Sequence, residues 1–141
     1  MRSDGMERFV QAQDAGGTYD RALRELRAGR KTSHWMWFVF PQVAGLGHSS
    51  MAQAYAIASL DQARDYLAHP VLGPRLRECT AAVLSHPDRS AEQILGGIDA
   101  LKLRSSMTLF ARADPDDPGF AAVLETFYGG EPDGRTEQLL G

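Results

Sequence analysis

Residues with side chains suited to chemistry gather in one aromatic stretch, KTSHWMWFVFPQ (31–42). His34 is the candidate for proton transfer, because an ordinary histidine titrates near neutral pH. The indole of Trp35 or Trp37 could stack on a nucleobase or another planar ring, and Gln42 could read the edge of that ring. Residues i and i+2 of a helix point about 200° apart. We therefore expect one tryptophan to pack inward and the other to line a cleft.

A glycine-rich loop, AGLGHSS (44–50), follows this stretch. Gly45 and Gly47 would let a ligand approach the backbone closely. Ser49 would cap the next helix, whose first N–H groups could hold a phosphate. The alternative is that the aromatic stretch is only core and the loop only a turn, and the sequence leaves both interpretations open.

A second group of polar residues, Asp99, Lys102, Ser105 and Ser106, lies in DALKLRSSMTLF. On a helix, Asp99, Lys102 and Ser106 share roughly one face. Lys102 could bind a phosphate to which the two serine hydroxyls donate, and Asp99 could stabilise positive charge that develops on a ribose. A catalytic Ser–Lys pair would need a desolvated lysine, and an Asp–Lys surface pair is the simpler interpretation.

A basic stretch precedes the aromatic one. It holds five of the chain's 15 basic residues: Arg21, Arg24, Arg27, Arg30 and Lys31. The first three recur at every third position and share a broad helix face, which could contact a phosphate-bearing ligand, a protein or a nucleic-acid backbone. A solvated helix face is the other interpretation of this pattern.

Composition limits the classes of protein that the chain can represent. A length of 141 residues fits one domain, so we expect a single helical domain over 1–141, and a net charge of −3 argues against a general nucleic-acid-binding protein, although a local basic patch stays open. The lone Cys79 excludes an intramolecular disulfide and cysteine-rich zinc sites. We predict no metal centre and no cofactor. Neither a signal peptide nor a membrane span is predicted, and we expect a cytoplasmic protein. The sequence does not determine its oligomeric state.

Helical periodicity and helix-capping signals dominate the chain, and almost no segment alternates with period two. The aromatic stretch is predicted to form a helix that starts near Ser33. Helices are also predicted over 4–14, 18–29, 50–59, 59–70, 73–87, 90–97, 99–113, 120–130 and 136–140. The fold class is therefore mostly α, a compact single-domain bundle of roughly six to eight short helices.

Three blocks, SHWMWFVFPQVAGLGHSS, YLAHPVLGPRLREC and IDALKLRSSMTLF, closely resemble a bacterial family, domain-of-unknown-function family 1810, which is sometimes mislabelled calpastatin-like. The resemblance runs from about Phe9 to Leu140 and implies a compact helical domain without an assigned activity. A fainter likeness, in AIASLDQARDYLAHPVLGPRL, is to the NADAR group, whose members act on N-glycosidic bonds of ribosyl compounds.

These observations predict a pocket beside the aromatic stretch that holds a nucleotide or ADP-ribose-like ligand. Hydrolysis or transfer at an N-glycosidic bond is the first reaction class to consider, with Asp99 and His34 in the roles given above. The alternative is a non-enzymatic module that binds a protein or nucleic acid through residues 21–31.

Overall fold

The computed structural model describes residues 4–141 and is helical throughout. A short 3-10 turn, Ala15–Gly17, joins the first two helices. The α-helices of the described part are α1 (Asp4–Asp14), α2 (Thr18–Ala28), α3 (Met36–Val39), α4 (Ser50–Ala54), α5 (Leu60–Ala68), α6 (Leu72–Leu84), α7 (Ala91–Leu95), α8 (Gly97–Ala113), α9 (Pro118–Tyr128) and α10 (Gly134–Leu140).

The predicted mostly α fold is confirmed. The described part contains more helices than the six to eight expected, because α3, α4 and α7 are single turns of four or five residues. Each of these three lies inside a segment predicted to be helical, but the predicted segments are longer than the helices that form. The predicted domain range also includes residues 1–3, which lie outside the described residues.

Side-chain caps set several of the helix starts. The Ser59 hydroxyl caps α5, and Ser90 forms the predicted capping box with Gln93 at the start of α7. The helix predicted over 99–113 begins two residues earlier, at Gly97, so Asp99 does not cap it. Asp99 instead lies in the first turn of α8, where a carboxylate is favoured by the helix dipole.

The aromatic stretch departs most from its prediction. The helix expected from Ser33 begins only at Met36 and lasts four residues. The Glu25 carboxylate accepts hydrogen bonds from the backbone N–H groups of Thr32 (2.8 Å) and Ser33 (3.1 Å). These bonds tie the segment before α3 to the side of α2, so the helix cannot extend towards the N-terminus.

An isolated parallel bridge closes the loop that follows α3. The N–H of Ala44 donates to the carbonyl of Ile57, and the N–H of Ile57 donates to the carbonyl of Gln42, both at 2.8 Å. Within the described residues this bridge does not extend into a strand. It fixes both ends of the segment that carries the glycine-rich loop and α4.

The core is one cluster of buried side chains to which helices throughout the chain contribute. Its largest fully buried members include Trp35, Tyr66, Phe40, Phe110 and Phe120. α8 runs through the bundle and contacts α5, α7, α9 and α10. Because α8 is surrounded along most of its length, its first turns are the part that can reach a surface cleft.

Gln13 anchors α3 to the rest of the bundle. Its amide nitrogen donates to the carbonyl of Phe38 (2.8 Å) and to the Tyr66 hydroxyl (3.2 Å). Its amide oxygen accepts from the Arg75 guanidinium at 3.1 Å. The buried amide is thus bonded at both ends, as burial of a polar group requires, and α3 is held at a fixed position.

None of the helices described within residues 4–141 has the length and apolar character needed to cross a membrane.

Candidate ligand-binding cleft

A cleft of about 330 Å³ opens between α3, the glycine-rich loop, α4 and the start of α8. This volume lies near the lower end of the range typical of small-molecule sites. The predicted site residues that line it are Trp37, Gln42, Gly47, Ser49 and Lys102. The aromatic stretch, the glycine-rich loop and α8 therefore meet at this cleft.

The two tryptophans have separate environments. Trp35 is fully buried in the core, and its indole N–H donates to the Glu25 carboxylate at 2.9 Å. Trp37 is only partly buried and forms one wall of the cleft. The structure therefore assigns Trp35 to the core and leaves Trp37 as the indole that a ligand can reach.

Glu25 is the residue that orients Trp35, and sequence reasoning missed it. Besides the backbone bonds described above, it accepts from the Ser33 hydroxyl at 2.6 Å. Burial opposes ionisation of this carboxylate, but the hydrogen bonds from Ser33, Thr32 and Trp35 outweigh burial and lower the pKa of Glu25 to about 2. Nothing in the polar face of α2 distinguishes Glu25 from its charged neighbours.

Both lysines of the chain, Lys31 and Lys102, contact the same carboxylate, that of Asp99. The Lys31 ammonium lies 2.9 Å from one carboxylate oxygen, and the Lys102 ammonium lies 3.4 Å from the other. Each lysine also covers one tryptophan, with 5.1 Å from Lys31 to the ring centre of Trp35 and 4.3 Å from Lys102 to that of Trp37. The first of these pairs lies in the core, and the second faces the cleft.

The basic stretch does not form a continuous ridge of free cations. The side chain of Lys31 is only 8% exposed and is paired with Asp99. Arg27 forms a salt bridge with Glu78 at 3.1 Å, and the Arg21 guanidinium donates to Ser33 at 3.3 Å. Exposed Arg24 and Arg30 remain, and they border a shallow depression of about 440 Å³ on α2.

The structure does not bring Ser105 and Ser106 to the cleft. Both serines are buried where α8 packs against its neighbours, and the Ser105 hydroxyl donates to the carbonyl of Leu101 at 3.3 Å. The Ser106 hydroxyl is fully buried without a hydrogen-bond partner among the described residues. Small side chains let helices approach closely, and this accounts for serines at these positions better than ligand binding does.

His34 is exposed and is not among the residues that line the cleft. The chain bends at Ser33 and His34, so that Trp35 enters the core and His34 stays exposed. The proton-transfer role predicted for His34 therefore has no ligand site beside it.

The glycines of the loop serve the packing of the protein itself. Gly45 has a φ of +102°, and a Cβ atom there would lie 3.2 Å from the side chain of Leu139. A Cβ on Gly47 would lie 2.7 Å from the Cβ of Ala52. Gly45 thus meets α10 and does not border the cleft, whereas Gly47 borders it and also contacts α4.

Ser49 caps α4 as predicted, accepting from the N–H of Ala52 at 3.1 Å. α4 has only five residues. The end of so short a helix offers little dipole to hold an anion. Binding of a phosphate in this cleft would therefore depend on side chains.

Two apolar residues of α8 that sequence reasoning missed also line the cleft. Ile98 is 74% exposed and Leu101 is 64% exposed, which is unusual for side chains of this size. Their spacing of i and i+3 beside Lys102 is the signal that could have revealed them, because it places two apolar residues on an otherwise polar helix start. Together with Trp37 they supply much of the apolar lining of the cleft.

The charge of the cleft is positive. Among the described residues that line it, Lys102 is the only lysine or arginine, and no carboxylate is present. Asp99 lies behind Lys102 and is shared with Lys31. In addition, no group of three or more His, Cys, Asp or Glu side chains within residues 4–141 has the geometry to hold a metal ion.

Comparison with known proteins places the chain in a family. The family model described as "Protein of unknown function (DUF1810)" matches residues 3–140. The chain belongs to this family. Among solved structures, this DUF1810 chain is similar to the conserved hypothetical protein Rv1873 from Mycobacterium tuberculosis, at 54% identity over 96% of this chain and 95% of that chain, with a TM-score of 0.92. None of the curated proteins matches the chain.

The solved structure shares the fold of this chain, and neither its description nor that of the family assigns an activity. The likeness to the NADAR group stays a prediction. Any function of this DUF1810 protein must therefore be argued from its own cleft.

Proposed function

We propose that this DUF1810 protein binds a nucleotide or an ADP-ribose-like small molecule in the cleft between α3 and α8. One observation carries the proposal: the Trp37 indole and the Lys102 ammonium meet within a single cleft, 4.3 Å apart. An aromatic face and a cation side by side suit a ligand that joins a planar ring to an anionic group.

The ring of the ligand would bind on the apolar side of the cleft. Stacking of a base on an aromatic side chain contributes about 1–3 kcal/mol in single-stranded nucleic-acid complexes. Ile98 and Leu101 add apolar surface at the same side. The Gln42 amide offers both a donor and an acceptor for the edge of the ring.

The anionic group of the ligand would bind at Lys102. Lys102 is the only lysine or arginine among the described lining residues, and its side chain is 23% exposed. Ser49 also lines the cleft, but its hydroxyl already caps α4. Lys102 is therefore the residue whose loss we expect to weaken binding of a phosphate most.

Cleavage of an N-glycosidic bond receives less support from this geometry than binding does. In such a reaction a water oxygen bonds to the anomeric carbon, the carbon–nitrogen bond breaks, and the leaving nitrogen takes up a proton. Asp99 is the acidic group beside Lys102, but both of its oxygens contact lysines. We therefore keep this reaction as a second proposal for the same cleft, without a role for His34.

The depression between Arg24 and Arg30 supports the alternative function. Two exposed guanidinium groups, one on α2 and one just after its end, suit contact with an acidic protein surface or a nucleic-acid backbone. Three of the five basic residues of this stretch are engaged within the protein. The remaining charge is small, so we place this function second.

A thermal-shift titration with AMP, NAD and ADP-ribose tests the binding proposal. A ligand at 100 times its Kd adds about 2.7 kcal/mol of stability, which raises the Tm of a domain of this size by several degrees. We expect Lys102→Ala and Gln42→Leu to reduce the shift and Arg24→Ala to leave it unchanged. No shift with any of the three compounds would overturn the proposal. A shift lost only in Arg24→Ala would favour the alternative.

The reaction is tested separately by incubating the protein with NAD or ADP-ribosyl compounds and following the free base by chromatography. Release that depends on Asp99 would support N-glycosidic chemistry. Binding of these compounds without release of the free base would indicate a ligand-binding protein that does not cleave them.

A further inference from the structure

We infer that Lys102 covers the Trp37 ring in the free protein and transfers to the anionic group of the ligand when the ligand's ring binds, so that the cleft selects molecules carrying both groups. This inference rests on the proposed function and specifies how the ring and the anion are recognised together.

The two lysines at Asp99 are not equivalent. The Lys31 side chain is 8% exposed, lies 2.9 Å from the carboxylate, and belongs to a backbone whose N–H donates to the carbonyl of Ile94 at 2.7 Å. The Lys102 side chain is 23% exposed and lies farther from the carboxylate, at 3.4 Å. Lys31 is therefore the fixed partner of Asp99, and Lys102 is the one that can move.

The fixed partner makes the movement of Lys102 inexpensive. The Asp99 side chain is only 16% exposed, and a buried carboxylate without a counter-charge is strongly destabilised. Because Lys31 stays in contact, Asp99 remains compensated when Lys102 leaves. Lys31, Lys102 and Asp99 together carry a net charge of +1. Lys102 is therefore incompletely neutralised and can accept an anion.

The position of Lys102 couples the two halves of the ligand. Its ammonium lies 4.3 Å from the ring centre of Trp37, so it occupies the space that a stacked ring needs. A ring without an anion must displace the ammonium from the indole and from Asp99 without giving it a new partner. A ring that carries an anion supplies that partner, so both contacts form together.

The first test compares the affinities of adenosine and AMP by calorimetry, in the wild-type protein and in Lys102→Ala. In the wild type we expect AMP to bind at least tenfold more tightly than adenosine. In Lys102→Ala the ring is uncovered and the cation is gone, so adenosine should bind more tightly than before and AMP less tightly. Lys102→Arg keeps a cation that can cover the ring, and it should restore the preference for AMP.

If Lys102 both covers the ring and binds the anion, Lys102→Ala changes the affinities for adenosine and AMP in opposite directions. If Lys102 only supports the fold of the cleft, Lys102→Ala weakens both probes equally, and the inference is overturned. Arg24→Ala removes an exposed cation outside the cleft and serves as the matched control. It should change neither affinity.

The second test observes the lysines directly. The chain has two lysines, and each lies over an indole, so 13C-lysine labelling should give two upfield-shifted ε-methylene signals in NMR spectra. The Lys102→Arg variant assigns them. On addition of AMP, the Lys102 signal should move downfield while the Lys31 signal keeps its position.

The outcomes separate the two proposals. If AMP binds and the Lys102 signal does not move, the inference is wrong while the proposed function stands. If AMP, NAD and ADP-ribose all fail to bind the wild-type protein, both are overturned.

Discussion

The indole N–H of Trp35 donates a hydrogen bond of 2.9 Å to the Glu25 carboxylate. This bond fixes Trp35 inside the core and, because α3 starts at the next residue, it also sets the direction of Trp37. Trp35 thus packs in the core, and Trp37 faces the cleft. The carboxylate that does this lies on α2, outside the aromatic stretch.

Glu25→Ala is expected to destabilise the protein by about 3 kcal/mol, because several hydrogen bonds to one charged group are lost together. Urea unfolding followed by circular dichroism measures the change. Asp65→Asn, at an exposed position of α5, is the control and should alter stability by less than about 0.5 kcal/mol. An equally small effect of Glu25→Ala would contradict the role given to this carboxylate.

The Glu25 carboxylate should also make stability depend on acid pH. Its pKa in the folded protein is lowered from 4.5 to about 2. A lowered pKa stabilises the folded state above pH 4.5, and this contribution disappears as the pH falls from 4.5 through about 2. The difference in unfolding free energy between the wild type and Glu25→Gln should therefore shrink across this window. A constant difference would show that the charge of Glu25 is unimportant.

Local signals in the sequence predicted the local structure. Contacts between residues that are distant in the sequence could not be predicted in this way. The capping serines and Gly29 mark helix ends because each acts on its own neighbours. The sequence also predicted that Trp35 and Trp37 diverge, but Trp35 precedes α3, so the helical spacing behind that prediction is not what separates them. The contact of Lys31 with Asp99 joins distant parts of the chain, and no periodicity reports it.

The same limit explains the residues that sequence reasoning placed wrongly. Ser105 and Ser106 are polar, so they were expected at a ligand, but the packing around α8 buries them. Ile98 and Leu101 are apolar, so they were not expected at a surface. Which turns of α8 are covered depends on the path of α5, α9 and α10 around it.

Gly45→Ala should lower the unfolding free energy by about 1–3 kcal/mol, because its φ of +102° is unfavourable for any residue with a Cβ. The new methyl group would also press on Leu139. Gly97→Ala is the matched control, since a Cβ there meets no atom within 4 Å and α8 gains a better helix former. If Gly45→Ala instead weakens AMP binding at unchanged stability, the loop glycine serves the ligand.

Lys31→Met should destabilise the protein by about 3 kcal/mol, because breaking a buried ion pair leaves Asp99 with the weaker partner alone. Asp99→Asn should have a similar effect. The double variant should lose much less unfolding free energy than the sum of the two single losses, since neither member of the buried pair is left without its partner. Denaturant unfolding of the four proteins measures this coupling, and additive losses would show that the pair is not an energetic unit.

The thiol of Cys79 should be inert in the folded protein. Its side chain is fully buried in α6, and burial raises its pKa from 9 to about 12, so the reactive thiolate is scarce. At pH 8 we expect Ellman's reagent to label it only when the bundle opens, so the labelling rate should rise with urea. Variants that destabilise the bundle, such as Glu25→Ala, should be labelled faster, and Cys79→Ser gives the background. Rapid labelling of the wild type in native buffer would show that α6 opens far more easily than its packing implies.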